Sequence, residues 1–124
     1  MDVNAGGKPQ GYKDLIVWQK AMALTKLVYQ ATDDYPREER FGLVQQMRRA
    51  AVSVPSNIAE GQARRTTGEF VQFISHAEGS LAELDTQLLL SIDLGFVTGE
   101  KISTQLDLVG ELRKMLNSLR RKLS

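Results

Sequence analysis

Apolar residues recur at spacings of three and four along nearly the whole chain beyond Tyr12, the signature of one helical face rather than of a pleated strand. Between about Asp14 and Asp33 they form two adjacent rows. One holds Leu15, Trp18, Met22 and Tyr29, the other Val17, Ala21, Leu24 and Val28. Together they predict a first helix with a broad apolar face, Lys13, Lys20 and Lys26 lying off it and Asp14 placed as its N-cap. Tyr35-Pro36 ends the pattern, because the residue before a proline is pushed out of the α region.

Arg37 to Arg40 leads through Phe41-Gly42 into a second helix, with apolar positions at Leu43, Met47, Ala50 or Ala51, Val54 and Ile58. Pro55 falls inside it. A proline there lacks an N–H and crowds the carbonyl of Ala51, at a cost of ~3 kcal/mol. The apolar period nevertheless crosses Pro55 without losing phase, which predicts a kink there rather than a break. Gly61 is placed as the C′ residue that ends this helix. After a short connection, Thr66 and Glu69 fit a capping box. A third helix follows with Phe70, Ile74, Ala77, Leu81, Leu84, Leu88 and Ser91 on one seam, and Leu94-Gly95-Phe96 supplies its stop. Thr98 is placed to cap a last helix carrying Ile102, Leu106, Val109, Leu112, Leu116, Leu119 and Leu123, with Leu108 and Met115 on its flank. Four amphipathic helices with short loops predict an all-α, up-down-up-down four-helix bundle over residues 12–124. Residues 1–11, rich in glycine and almost without apolar bulk, read as a flexible tail.

Two helices carry a second, polar stripe. On the second helix it runs Arg49, Ser53, Ser56, Asn57 and Glu60; on the third, His76, Ser80, Glu83 and Gln87. Serine and asparagine compete with the helical backbone for hydrogen bonds, so a purely solvated face would favour Lys, Glu and Gln instead. Gly79 beside Ser80 would allow a neighbouring backbone to come close. One reading joins Arg49, Ser53, Asn57, Glu60, Ser80 and Glu83 in a polar network at a helix or subunit interface; the plainer one leaves two independent wet faces.

The chain of 124 residues suits one domain, and its sixteen Lys+Arg against fifteen Asp+Glu leave a formal charge of +1, too balanced for a protein that wraps nucleic acid. The distribution is uneven. Residues 71–98 hold Glu78, Glu83, Asp85 and Asp93 and no Lys or Arg, whereas Arg48, Arg64, Arg65, Arg120, Arg121 and Lys122 lie to either side. Those six could contact phosphates; alternatively, the acidic third helix pairs with basic neighbours. No cysteine and a single histidine, His76, argue against a disulfide framework and a zinc site. His76 has no glutamate three residues before it, so the Glu-x-x-His pair of a di-metal bundle is absent. One histidine cannot serve Ser53, Ser56 and Ser80 as a catalytic base without an oxyanion-binding loop, and Gly6-Gly7-Lys8-Pro9 lacks phosphate-loop spacing. No run reaches the roughly 18 to 20 apolar residues of a membrane span, and residues 1–11 hold no apolar leader core. These features predict a soluble, cytoplasmic, non-enzymatic protein with no cofactor, no metal and no identified small-molecule substrate.

Several stretches together carry a resemblance. They are Leu15 to Ala21 (LIVWQKA), Tyr35-Pro36 with Glu39, Gly42-Leu43, Gln46 with Arg48-Arg49-Ala50, Ser53 to Gly61 (SVPSNIAEG), Arg65, and Ala77 to Leu84 (AEGSLAEL). With these the chain, from Tyr12 to about Leu119, resembles the bacterial four-helix-bundle proteins named after reading frames in 23S ribosomal RNA intervening sequences. The resemblance implies a left-handed bundle. It also implies kinship with the accessory protein of diversity-generating retroelements, a pentamer that engages a reverse transcriptase and nucleic acid. The expected role is that of a homo-oligomeric interaction or scaffold module, a homopentamer by resemblance. The alternative is a nucleic-acid-binding accessory protein that acts with RNA or a polymerase through its basic patch.

Overall fold

The computed structural model describes residues 11–124, so the expected tail lies outside the described residues except for Gly11, which opens a 3-10 turn, Gly11–Asp14. Four α-helices follow: α1 (Ile16–Thr32), α2 (Leu43–Gln62), α3 (Thr67–Asp93) and α4 (Ser103–Leu123). A 3-10 turn at Arg37–Glu39 lies between α1 and α2, and no strand occurs among the described residues.

Ties between neighbouring helices run in opposite residue order. Thr32 and Thr25 of α1 bond to Arg48 and Ala51 of α2; Met47 and Ser53 of α2 meet Ser91 and Ser80 of α3. Glu78 of α3 meets Arg120 of α4, and Leu27 and Lys20 of α1 meet Gln105 and Glu111 of α4. The described helices make no close backbone approach across the diagonals, α1 to α3 or α2 to α4. This is the up-down-up-down ring of four that the short loops predicted.

The core holds Leu24, Val28, Met47, Val54, Ile58, Ile74, Leu81, Leu84, Leu88, Ile102, Leu112 and Leu116, all essentially solvent-free. On α3 the buried seam is the one the spacing picked out. On α1 only one of the two apolar rows is core: Val17, Ala21, Leu24 and Val28 are buried, whereas Leu15 and Trp18 are half-buried and Met22 and Tyr29 exposed. A helix at the corner of a bundle buries an arc, and small or branched residues fill its middle while long and aromatic ones reach around the rim.

The helix ends differ from expectation in three places. Leu15, not Asp14, is the N-cap of α1; Asp14 is the last residue of the 3-10 turn, one position short of the cap. Thr98 does not cap α4; its hydroxyl accepts from Lys101 N–H in the preceding turn, and the buried Ile102 takes the N-cap position. Gly61 does not end α2. The helix runs on to Gln62, and Gly61 is buried where an added Cβ would sit 2.7 Å from Phe73 Cβ and 2.9 Å from Phe70 Cδ1. Its missing side chain is what lets α2 and α3 close on each other. Gly79, expected to serve that purpose, faces open space.

Two other ends match. Thr66 caps α3 by accepting from Glu69 N–H at 3.1 Å, and the Glu69 carboxylate accepts from the Thr66 hydroxyl at 2.9 Å in place of a backbone amide. Gly95 at φ 78° ends α3, with Phe96 N–H bonded to Ser91 O and Gly95 N–H to Ile92 O, the pair of bonds that closes a Schellman turn. Phe96 folds back onto the buried Tyr35, ring centroids 6.0 Å apart.

Gly61→Ala should lower stability by about 2 kcal/mol, since two phenylalanines would have to shift, while Gly79→Ala should raise it by about 1 kcal/mol; thermal unfolding of the two side by side checks both. Tyr35 makes a separate prediction. Burial pushes its phenol above 10.0, the weak approach of the Ser91 hydroxyl acting the other way, and among the described residues Tyr35 Oη makes no well-formed hydrogen bond. The folded state therefore favours the neutral phenol, so its contribution is intact below pH 10.0 and lost as pH rises beyond. Unfolding midpoints followed upward from that pH should fall less steeply in Tyr35→Phe than in the parent.

Candidate functional site

The most distinctive stretch of the sequence, Ser53 to Gly61, forms the central and C-terminal turns of α2. α2 is continuous through the buried Pro55. Because proline has no N–H, the carbonyl of Ala51 loses its partner within the helix. Thr25 Oγ1 of α1 lies 3.0 Å from that oxygen and 2.9 Å from the Ala21 carbonyl one turn back. One hydroxyl proton is thus shared between its own helix and the next, and an orphaned carbonyl becomes a tether between α1 and α2.

The other flank of α2 carries the polar stripe. Ser53 Oγ and Ser80 Oγ of α3 lie 2.8 Å apart, and Asn57 Nδ2 donates to Ser53 Oγ at 2.9 Å and to the Ser53 carbonyl at 2.8 Å. While it accepts from Asn57, Ser53 Oγ keeps a second lone pair and its own proton, so either hydroxyl can donate in the Ser53–Ser80 pair. All three side chains are half-buried. Above them is a groove of about 420 Å³ lined by Gln46, Arg49, Ala50, Ser53, Ser80 and Glu83. Arg49 and Glu83 are exposed on its walls without an ion pair between them, and Glu83 accepts instead from the buried Gln87 at 3.2 Å. Glu60 and Ser56 are exposed and outside the cluster. So is His76, whose ring meets Phe73 edge-on at 6.0 Å. The structure therefore joins Ser53, Asn57 and Ser80, brings Arg49 and Glu83 to the rim, and leaves Glu60 apart.

Chemically, this cluster can hold helices together. Among the described residues no carboxylate, lysine or histidine is hydrogen-bonded to either serine hydroxyl, and no group of three His, Cys, Asp or Glu could hold a metal ion.

The six cations considered for phosphate contact have different fates. Arg48 is committed to its own fold: it donates to Thr32 Oγ1 at 3.0 Å, the Tyr29 carbonyl at 3.2 Å and Asp33 at 3.0 Å, and stacks over the Tyr29 ring. Arg120 donates to Glu78 at 2.8 Å and to Asn117 at 2.8 Å, one instance of the acidic third helix pairing with a basic neighbour. Arg64 lies over the Phe73 ring. Arg65, Arg121 and Lys122 are exposed and carry no ion pair among the described residues. The antiparallel order brings the α2–α3 turn and the C-terminus of α4 to the same end of the bundle, and these three with them.

One surface was not legible as such. Between α1 and α2, Tyr29, Arg40, Phe41, Val44, Gln45, Arg48, Arg49, Val52 and Ser53 line a groove of about 650 Å³. Phe41 is 83% exposed there, and Tyr29 and Val52 are each 41% exposed. The available signal was apolar side chains off the core rows, Tyr29 on α1, Phe41 before α2 and Val52 on it.

Thr25→Val, which keeps shape but removes the hydroxyl, should cost about 1 to 2 kcal/mol by leaving the Ala51 carbonyl unpaired. In a Pro55→Ala background the restored N–H can serve that carbonyl, so the same change should cost about 1 kcal/mol less. A denaturant double-mutant cycle measures the difference; equal costs in both backgrounds would remove the tether.

The model of the 23S rRNA-intervening sequence protein family matches residues 13–118. A solved structure of a protein of unknown function from the S23 ribosomal protein family, from Bacteroides thetaiotaomicron, has the same fold. The match has a TM-score of 0.76 and 20% sequence identity, covering 85% of this chain and 98% of that one. Comparison with curated protein sequences finds no match. With four antiparallel helices and a family match over most of its length, the chain belongs to the 23S rRNA-intervening sequence protein family.

Proposed function

We propose that this protein is a non-enzymatic, oligomeric interaction module of the cytoplasm, assembled from copies of itself as a homopentamer. The observation that carries this reading is the α1–α2 groove, where Tyr29, Phe41 and Val52 form one exposed apolar surface rimmed by arginines. Phe41 keeps most of its surface in water, at a transfer cost of roughly 25 cal/mol per Å² that a partner would relieve. Aromatic and arginine side chains together are also the composition of an interface core. The serine–asparagine cluster supports the same view from the other side. It spends its polar groups on joining α2 to α3 and has the character of a structural element. No helix among the described residues is long and apolar enough to cross a membrane, which fits a role away from the bilayer.

A second reading draws on the exposed Arg65, Arg121 and Lys122 at one end of the bundle: an accessory protein that binds nucleic acid beside a polymerase or RNA partner. Two of the cations that would strengthen it, Arg48 and Arg120, are occupied within the fold, and so the oligomeric module is preferred.

Sedimentation velocity and native mass spectrometry at micromolar concentration should give a single assembly with the mass of five chains. A monomer would overturn the proposal, and a different closed number would keep the module but not the pentamer. A gel shift with RNA or single-stranded DNA at low salt should show no retardation; a shift lost on adding salt would favour the second reading.

A further inference from the structure

We infer that the copies meet head-to-tail, the α1–α2 groove of one receiving the outward face of α3 of the next. This rests on the oligomeric reading above and adds which two surfaces meet. The groove offers Tyr29, Phe41 and Val52 as its apolar part, with Arg40 and Arg49 on its rim. Neither arginine has an ion pair among the described residues, in contrast to Arg48 in the same groove, which is held by Asp33. The basic rim is therefore free to meet an acidic partner.

The outward face of α3 has the opposite character. Leu81, Leu84 and Leu88 point into the core, so the far side of the helix is left to Leu89 and Leu90, 49% and 43% exposed. Asp85 and Asp93 flank them without an ion pair among the described residues. No Lys or Arg occurs anywhere between residues 71 and 98. An exposed helix with two adjacent leucines and unneutralised aspartates would be a poor surface if left in water. It is the right complement for an apolar groove rimmed by unpaired arginines.

Charge also fixes the mode of pairing. Groove against groove would set arginines beside arginines, and α3 against α3 would set aspartates beside aspartates. Both symmetric pairings are disfavoured by like charge, and the mixed one is favoured. The groove draws on α1, α2 and the residues before α2, and Leu89 and Leu90 stand on α3, so the two surfaces share no residue. A copy that fills its groove with one neighbour still presents α3 to another. Such a heterologous contact repeats until it closes into a ring.

The test uses two variants at exposed positions, Phe41→Asp in the groove and Leu90→Arg on α3, with masses read by native mass spectrometry and sedimentation. Each alone should be monomeric and as helical as the parent. Mixed in equal amounts they should form a 1:1 dimer and nothing larger, because the first keeps an intact α3 face and the second an intact groove. Should either fold poorly, Arg40→Glu with Arg49→Glu replaces the first and Asp85→Lys with Asp93→Lys the second, with the same masses expected. An oligomeric parent whose variants keep its mass overturns the head-to-tail contact and leaves the oligomeric module standing. So does a mixture of monomeric variants that fails to pair. A monomeric parent overturns both.

Discussion

The approach of α2 to α3 is the constraint on which the bundle depends. It is set by an absence, the side chain that Gly61 does not have. With a Cβ there, Phe70 and Phe73 could not lie where they do. The two helices would separate near the turn that joins them, and the displacement would run along both, because packed side chains transmit strain rather than absorb it. Further along the same seam, Ser53 and Ser80 meet at 2.8 Å across the same close approach. Small polar residues can bridge two helices only when the backbones are close, so the glycine and the serines form one device.

On its opposite flank α2 is held by a different kind of bond. Pro55 deprives Ala51 of an internal partner, and Thr25 supplies one from α1. A proline in mid-helix is usually counted as a defect. In this chain the freed carbonyl gives α1 a specific place to attach, which an unbroken ladder of backbone bonds would not offer. Specificity is gained at some cost in helix stability, in the way buried polar contacts fix register elsewhere.

The amount legible in the sequence depends on how local each feature is. The buried seam of α3, the Thr66 cap and the Gly95 stop depend on residues a few positions apart, so spacing and residue type were sufficient. Gly61 looked like a helix terminator because terminators are what glycine most often supplies; only the position of Phe73 on another helix reveals its actual use. Thr25 gave no local sign of its bond to Ala51, twenty-six residues away. The polar stripe was visible as a pattern, but which members meet was decided by the rotation of α2 against α3. That rotation joins Ser53 to Ser80 and leaves Glu60 in water. On α1, periodicity showed two apolar rows and could not say which would be core, because the choice depends on the direction of the other three helices.

The two ends of the bundle are fastened very differently. At one, Phe96 packs on the buried Tyr35, and Arg48 gathers Thr32, Asp33 and the Tyr29 carbonyl, so the loop after α1 and the loop after α3 are pinned to each other and to α2. At the other, residues 63–69 are all exposed, and the turn is held by the Thr66 cap, by Arg64 over the Phe73 ring and by its own backbone bonds. Local opening begins where few buried contacts must be given up. By that rule the α2–α3 turn is the place where opening costs least, and Gly61 marks where the tight packing of α2 on α3 begins.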